Sequence, residues 1–400
     1  MTEAGPLDRS VGMEAYATTG ERCPGRAKSS PEDFRVEELV SGIAAAKEPL
    51  PGYLPLYRVE KRGIDTMHMA EEISDVLKSR VSYGGLKDSV ATASQYVTPT
   101  SVKSERPERI SREKFSAELV GYVPKPLTRG SVVGNRFEIV LRDCCDEIGA
   151  RAEEALDAAR RRRVPNYFGL QRFGAGGAGT HVVGKALVKR DFEGAVKLLM
   201  GAGEGRRHPS PEDAERSVAR ELDRHPGEWI RAMRAVSVRL RRLYVQAYQS
   251  YIFNKTLSLS LSGGEDVSEY QEGDNWAVPS EDWLTTSYPK SARERPAGRA
   301  VPLVQLAGFA YRNYGSRFDR YVELVMESEG VSPREFFVDE MQEVSAEGGF
   351  RRPHIAMVDG SVDIAGQTAT LRFALAKGQY ATVLLREIMK PEDPLGSGLA

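Results

Sequence analysis

The pattern that most restricts the fold of this chain is a pair of strand-like segments near its two ends, separated by a long helical middle. In the first segment the apolar Phe34 and Val36 alternate with polar neighbours, which is the period of a half-buried strand. Residues 371–375 alternate in the same way, and the composition of residues 181–257 between them is that of helices. This arrangement predicts an α+β fold with an insertion.

Local signals place further elements. Asp65 or Thr66 can cap a helix, and residues 153–163 are helical in composition up to the region of Pro165, which disfavours helical geometry in the residue before it. Apolar residues at helical spacing mark the first of these helices and a later, long one: Met69, Ile73 and Leu77, and then Leu240, Leu243, Ala247 and Tyr251.

Three stretches show no such periodicity. Residues 1–27 are dominated by small and polar side chains, so we expect them to be loosely ordered. Residues 42–52 are typical of a surface loop. Residues 262–300 are polar and punctuated by glycine and proline, which favours a long loop.

The composition excludes several classes of protein. A chain of 400 residues with 28% charged and 40% apolar residues is long enough for two globular domains. It has no apolar run of the roughly 20 residues that a membrane helix needs, and its N-terminus lacks the apolar core of a secretory signal. Three cysteines (Cys23, Cys144 and Cys145) cannot build a disulfide framework, so we expect a reducing, cytoplasmic setting.

The charge is unevenly distributed although the net charge is only −1. Residues 151–250 carry a net charge of +8, whereas residues 251–400 carry −7. The basic block contains many arginines, among them Arg160–Arg163, Arg239 and Arg242. Such a concentration can follow a phosphate backbone, but it is also typical of solvated helix faces.

Conventional hydrolase, nucleotide-hydrolysing and metalloprotease motifs are absent from the sequence. The five histidines have no metal-ligand spacing, and no Gly-x-Ser-x-Gly, phosphate-binding loop or His-Glu-x-x-His occurs. The glycine-rich residues 174–179 do not match a dinucleotide-binding fingerprint, since no suitable strand–helix context surrounds them.

Two other segments can carry chemistry. Asp88 follows the glycines 84–85 at the end of a short apolar run, where a carboxylate can project into a cleft, although it can equally cap the turn that follows. Asn166, Tyr167 and Phe168 follow the arginine run, and aromatic rings among arginines suit unstacked bases and phosphates. The alternative for the two rings is simple core packing.

Six segments together resemble the TruD family of tRNA pseudouridine synthases. They occur in the family's order and span nearly the whole chain, and the most specific is Pro-Asn-Tyr-Phe-Gly followed by Gln-Arg-Phe-Gly. The overall length resembles that of archaeal-type members. The segments lie at residues 28–38, 85–96, 134–137, 164–174, 249–254 and 378–387.

The resemblance implies a pseudouridine synthase catalytic core with a mixed, mainly antiparallel sheet and flanking helices, plus an inserted α/β domain. On this basis residues 1–192 and 352–400 form the discontinuous catalytic domain, and residues 193–351 form the inserted TRUD domain. The implied partner is tRNA, with no membrane, metal or cofactor, and a monomer is expected.

The implied reaction isomerises a uridine of tRNA, uridine 13 by resemblance, to pseudouridine. The family places the catalytic aspartate at Asp88 and its basic partner at Lys28. Phe168 corresponds to the aromatic that stacks on the target base, and Asn166 and Phe34 correspond to further pocket residues. An ion pair with Lys28 would keep the Asp88 carboxylate ionised and oriented.

Some RNA contacts and alternatives stay open. Residues 174–179 depart from the family's pattern, because larger or charged residues are expected in this loop. A non-catalytic RNA-binding or RNA-folding protein on the same scaffold, and a protein-interaction scaffold that uses the acidic residues 251–400, are the competing hypotheses. The candidates for contacts with the tRNA backbone are Arg160, Arg161, Arg162, Arg163 and Arg172.

Overall fold

The computed structural model describes residues 3–42, 45–87, 89–102, 106–174, 179–201, 212–288 and 298–399. In these ranges the strands are β1 (Phe34–Val40), β2 (Leu54–Lys61), β3 (Val81–Tyr83), β4 (Thr92–Pro99), β5 (Arg109–Ser111), β6 (Phe115–Val123), β7 (Val132–Leu141), β8 (Asn275–Pro279), β9 (Thr286–Ser287), β10 (Val301–Leu306), β11 (Gly349–Arg351), β12 (Met357–Ala365) and β13 (Thr368–Ala376). The α-helices are α1 (Pro6–Ser10), α2 (Thr66–Leu77), α3 (Ile148–Arg160), α4 (Thr180–Val188), α5 (Phe192–Leu199), α6 (Glu212–Arg224), α7 (Trp229–Ala235), α8 (Val238–Ser262), α9 (Asp319–Ser328) and α10 (Ala381–Met389). Short 3-10 helices lie at Pro31–Asp33, Arg129–Ser131, Leu170–Phe173, Pro333–Phe336 and Asp339–Val344.

A mixed sheet joins the two ends of the chain. In the described ranges it has nine strands in the order β12-β13-β7-β1-β4-β2-β6-β5, with β3 paired to β4. β1 runs parallel to β4 and antiparallel to β7, and β7 in turn pairs with β13. The predicted α+β fold, with strands from both ends of the chain and helices between them, is therefore confirmed.

A second, antiparallel sheet lies in the middle of the chain, with the order β11-β10-β8-β9. Its strands β8 and β9 fall within residues 262–300, so the expectation of a long loop there is wrong for the described part of that stretch. β8 is ordered by pairing with β10, which lies outside the stretch, and Ala277 is fully buried by this contact. The limits of the inserted domain at residues 193 and 351 stay a prediction.

Helix α2 follows its sequence signals. The carboxylate of Asp65 accepts hydrogen bonds from the backbone N–H groups of Met67 and His68, at 2.8 and 3.1 Å, and so caps the helix. Met69, Ile73 and Leu77 are buried against the sheet, as the spacing predicts. The predicted cap and the predicted apolar face are both confirmed.

The N-terminal strap, residues 3–27, is closely packed, so the expectation of a loosely ordered segment is wrong. Asp8 is fully buried, and its Oδ2 accepts a 2.6 Å hydrogen bond from the guanidinium of Arg386 on α10. The Val11 carbonyl accepts a hydrogen bond from Asn254 on α8, and Thr18 donates to Glu387. The strap is ordered by these long-range polar contacts, which leave no periodic pattern in its own sequence.

A disulfide ties the strap to the turn between β7 and α3. Cys23 and Cys145 are bonded across 122 residues of chain, and Cys144 is a buried thiol. Burial raises the pKa of the Cys144 thiol to about 11. The sequence analysis expected no such bond, because nothing in the spacing of the cysteines shows which of them meet in the fold.

Helix α8 forms where predicted, and its predicted apolar face is confirmed for Ala247, which is buried, and for Leu240 and Tyr251, which pack against the core. Leu243 is 36% exposed, whereas Tyr244 and Tyr248 are buried. The helix packs against α4 and α9 and also contacts the strap, so buried residues surround much of its circumference. Among the helices in the described ranges, none combines the length and apolarity needed to span a bilayer.

Candidate active site

A cavity of about 250 Å³ lies over one end of the mixed sheet. Phe34 and Val36 of β1 and Phe137 of β7 form its apolar side, since β1 and β7 pair with Val36 opposite Phe137. The other walls come from Lys28, the chain before and after position 88, the 3-10 helix Leu170–Phe173 and the start of α10. The fold therefore brings five of the six sequence segments that carry the resemblance to one cavity. The segment at residues 249–254 is the exception.

Lys28 and Phe34 meet at this cavity, as the sequence predicts. The Lys28 backbone has a φ of 56°, and its ammonium lies 5.1 Å from the centre of the Phe34 ring. The turn between them is held by Asp33, which accepts hydrogen bonds from the Arg142 guanidinium at 2.6 and 3.0 Å. Arg142 accordingly lowers the pKa of the Asp33 carboxyl.

Asp88 lies outside the described residues, but its neighbours in the chain are well defined. Leu86, Lys87 and Ala91 line the cavity. The backbone N–H of Lys87 donates to the Thr66 hydroxyl at 2.8 Å, and its ammonium pairs with Glu38. The described chain on both sides of position 88 is thus anchored at the wall of the same cavity as Lys28.

The double glycine before Lys87 serves the protein's own packing. A Cβ on Gly84 would come within 2.1 Å of a methyl group of Val132. A Cβ on Gly85 would lie 3.4 Å from the Glu38 carboxylate. The closest atoms therefore belong to Val132, the first residue of β7, and to Glu38 of β1.

Phe168 is half-buried behind the cavity wall. The guanidinium of Arg351 lies 4.0 Å from the centre of its ring, and the ring of Phe253 meets it edge-on at 5.4 Å. Its backbone N–H and C=O are both hydrogen-bonded to the Asn254 amide. Phe168 is not one of the residues that line the cavity; the neighbouring Tyr380, 6.3 Å away, does line it.

The Asn166 amide is engaged within the protein. Asn166 is only 3% exposed, its Oδ1 accepts a 2.8 Å hydrogen bond from Arg351, and its Nδ2 donates to the Arg352 carbonyl. The structure therefore places Asn166 and Phe168 together around Arg351, while Lys28 and Phe34 lie at the cavity. The predicted roles of all four residues in substrate binding remain predictions.

Arg351 is a functional candidate that the sequence analysis missed. Its guanidinium donates to the carbonyls of Asn166 and Gly378, and no carboxylate in the described ranges pairs with it. Burial lowers the pKa of Arg351 to about 10. A buried cation held only by neutral acceptors favours a nearby anion, but nothing in the run Phe-Arg-Arg-Pro signals this position in the sequence.

The arginines of the 160–163 run contact other parts of the protein. Arg160 donates to the Gly360 carbonyl, Arg161 pairs with Asp157 at 3.1 Å, and Arg162 lies 4.1 Å from the centre of the Trp283 ring. Arg163 is exposed. None of the four lines the cavity, and their contact with tRNA stays a prediction.

A larger basic cleft of about 1060 Å³ adjoins the candidate site. Leu86 lines both the cleft and the smaller cavity. Arg172, which donates to Ser250 and Gln246 of α8, lies at the border with Phe168. The cleft brings together arginines from three separate parts of the chain: Arg129, Arg172, and the pair Arg239 and Arg242 on α8.

Metal-binding groups do not form a cluster in the described part of the chain: no three His, Cys, Asp or Glu side chains there are arranged to hold an ion. The glycine-rich stretch 174–179, which departs from the family's pattern, lies outside the described residues at positions 175–178. The cavity lining also includes Tyr380 and three amides to which the sequence analysis gave no role: Asn135, Gln171 and Gln379. Of these, Gln379 already accepts a hydrogen bond from the Ala356 backbone N–H.

Comparisons with known proteins place the whole chain in one family. The family model of tRNA pseudouridine synthase D (TruD) matches residues 10–214 and 203–388. A probable tRNA pseudouridine synthase D of Pyrobaculum neutrophilum is 33% identical over 431 aligned positions, which cover 100% of both chains. One of Archaeoglobus fulgidus is 29% identical over 96% of this chain and 100% of its own length.

A solved structure agrees with these matches. The crystal structure of a tRNA pseudouridine synthase D (TruD) candidate from Methanosarcina mazei superimposes with a TM-score of 0.76 and 26% identity, covering 99% of this chain and 100% of that one. Sequence, family model and fold thus lead to one assignment: the chain belongs to the tRNA pseudouridine synthase D family of isomerases.

Proposed function

We propose that this protein converts a uridine of tRNA, uridine 13 by family resemblance, into pseudouridine without a cofactor, and that Asp88 is the catalytic residue. The observation that supports this most is the cavity on which Lys28, Phe34 and the anchored neighbours of position 88 converge. Phe34 and Lys28 lie 52 and 58 positions before Leu86 in the chain. A protein that only binds RNA has no need for such a convergence at one cavity.

The reaction is an internal rearrangement of the nucleotide. The N1–C1′ bond breaks, the uracil turns, C5 bonds to C1′, and the proton on C5 is lost while N1 gains one. Two roles suit an ionised Asp88: attack on the sugar carbon, or removal of a sugar proton on the way to a glycal. Both require the nucleotide to leave the RNA stack and enter the cavity.

Lys28 supports either role electrostatically. Its ammonium lies above the Phe34 ring at the cavity, where the low polarity of Phe34, Val36 and Phe137 strengthens its interaction with an anion. A cation at this place keeps a neighbouring carboxylate charged and opposes its protonation. We therefore assign Lys28 as the partner that maintains the Asp88 anion.

The basic cleft supplies the RNA-binding surface of the proposal. Arg129, Arg239 and Arg242 are exposed along it, and Arg172 connects it to the Phe168 cluster. Phosphate groups that pass along these arginines would bring a single nucleotide to the smaller cavity, since Leu86 borders both spaces.

The test is to map pseudouridine in unmodified tRNA transcripts incubated with the purified protein alone. We expect pseudouridine at position 13 only, and a rate at least about 100-fold lower for Asp88→Asn with tRNA affinity retained. Asp75→Asn, an exposed carboxylate on α2, is the matched control. Normal conversion by Asp88→Asn would refute the role of Asp88, and tRNA binding with no conversion by the wild type would support a non-catalytic RNA-binding protein.

A further inference from the structure

The side-chain oxygen of Asn135, at the cavity, has no hydrogen-bond partner in the described ranges. Asn135 lies on β7, opposite Glu38 of β1 and Leu375 of β13, and its side chain lines the cavity. Its Oδ1 is shut off from water without a hydrogen bond, and its amide nitrogen donates to no group in the described ranges. Because the oxygen is closed to water, the amide nitrogen is the group of Asn135 that can donate to a polar ligand in the cavity.

A second amide lines the same cavity from a different element. Gln171 is half-buried on the 3-10 helix Leu170–Phe173, and both its Oε1 and its Nε2 lie 3.1 Å from the hydroxyl of Thr382. Thr382 therefore holds the amide at the cavity and leaves one N–H and one oxygen lone pair of it available. Gly169 leaves the space for this contact, since a Cβ there would lie 2.7 Å from Gln171 Oε1.

The rest of the cavity wall is largely apolar. Phe34 and Phe137 meet edge-on with 6.0 Å between ring centres, and Tyr380 closes another side. Apolar walls with a few fixed polar groups suit a planar ring that has a polar edge. Asn166, the amide expected from the sequence to bind the base, is already engaged with Arg351 and the Arg352 carbonyl.

We propose that Asn135 and Gln171 hydrogen-bond the polar edge of the flipped uracil and so select uracil over cytosine. The two amides supply an acceptor for the N3–H of uracil and donors for its carbonyl oxygens. Cytosine has no N3–H and carries an amino group in place of one carbonyl, so it leaves these groups unpaired. This inference rests on the proposed function, because it assigns the recognition step of the same site.

The experiment compares two substrates that differ only at the target base. Single-turnover conversion and tRNA affinity are measured for tRNA with uridine and with N3-methyluridine at the target position, using wild type, Asn135→Ala, Gln171→Ala and the double variant. Gln367→Ala, an exposed amide in the turn between β12 and β13, is the matched control. Thr382→Val removes the hydroxyl that contacts the Gln171 amide while keeping the size of the side chain, and so tests whether that contact matters.

We expect the single variants to convert uridine roughly 10- to 100-fold more slowly, with tRNA affinity unchanged, since the phosphate contacts lie elsewhere. The wild type should convert N3-methyluridine more slowly than uridine by at least the same factor. The double variant should convert the two substrates at nearly equal rates. Thr382→Val should convert uridine several-fold more slowly than the wild type.

An equal N3-methyl penalty in the wild type and the double variant would overturn the inference, because the amides would then not contact that edge. Equal rates of the wild type on both substrates would overturn it as well. Both outcomes leave the proposed function intact, since the wild type still forms pseudouridine; absence of pseudouridine from the wild type is the separate result that refutes the proposed function.

Discussion

Lys87 and Glu38 form an ion pair that is nearly closed to water: Nζ lies 3.1 Å from Oε1, and the two side chains are 10% and 0% exposed. Glu38 also accepts a hydrogen bond from the Tyr96 N–H, so it connects β1, β4 and the residue directly before position 88. This pair ties the chain before the proposed catalytic aspartate to the centre of the sheet.

Removing the charge of Glu38 should therefore destabilise the folded protein. Glu38→Gln leaves the Lys87 ammonium buried without a counter-charge, and we expect the free energy of unfolding to fall by about 3–5 kcal/mol. The double variant Glu38→Gln, Lys87→Met should recover much of the lost free energy of unfolding, because no charge is then buried. Urea unfolding measures both; a loss below about 1 kcal/mol in the single variant would contradict the buried pair.

The disulfide should stabilise the folded chain. Cys23→Ser opens a loop of 122 residues, and we expect a loss of about 2–5 kcal/mol in the free energy of unfolding of the oxidised protein. In reducing buffer the difference between wild type and variant should shrink. Alkylation of the denatured, unreduced wild type should modify one of its three cysteines, Cys144. Three modified cysteines would show that the bond does not form.

His354 should make the protein sensitive to mild acid. The imidazole is fully buried, its Nε2 has no hydrogen-bond partner among the described residues, and burial lowers its pKa to about 3. In the unfolded chain the histidine takes up a proton near pH 6.5, whereas the folded chain stays neutral, so stability falls as the pH drops below about 6.5.

Between pH 6.5 and pH 5 this effect amounts to about 2 kcal/mol for one histidine. His354→Asn should flatten that part of the pH profile in urea unfolding. His68→Asn is the control: that ring is exposed, and its hydrogen bond with Asp65 raises its pKa, so its loss cannot remove the acid sensitivity. An unchanged profile in His354→Asn would argue against a neutral buried imidazole.

The basic cleft should account for the salt dependence of tRNA binding. Arg129→Gln and Arg239→Gln each remove one exposed cation from the cleft, so tRNA affinity should fall and the slope of log Kd against log salt should decrease by about one per phosphate contact. Arg109→Gln, on the edge strand β5 beside Glu118, is the control and should leave both unchanged. Arg161→Gln tests the predicted contact of the 160–163 run by the same measurement.

The local elements and the family were accessible from the sequence. The capping of α2 by Asp65 and the alternation in β1, β7 and β13 depend on neighbours within one turn or strand, so they can be recognised in a short window. The ordered set of segments along the chain predicted the family.

The contacts between distant segments were decided only by the tertiary structure. The strap owes its order to Asp8 meeting Arg386, 378 residues away, and the disulfide depends on a similar meeting of Cys23 and Cys145. Such partners leave no periodic signal, because neither residue's own neighbours reveal the other.

The candidate site divides in the same way. The resemblance assigned Lys28 and Phe34 to the pocket, and both line the cavity, while their roles stay predictions. That Arg351 covers the Phe168 ring, that Asn166 is already engaged, and that Asn135 and Gln171 are the amides left at the cavity follow only from how β7, α10 and the 3-10 helix Leu170–Phe173 pack together. Proximity in the folded chain decides which groups become hydrogen-bond partners, and this proximity cannot be seen in the order of residues along the chain.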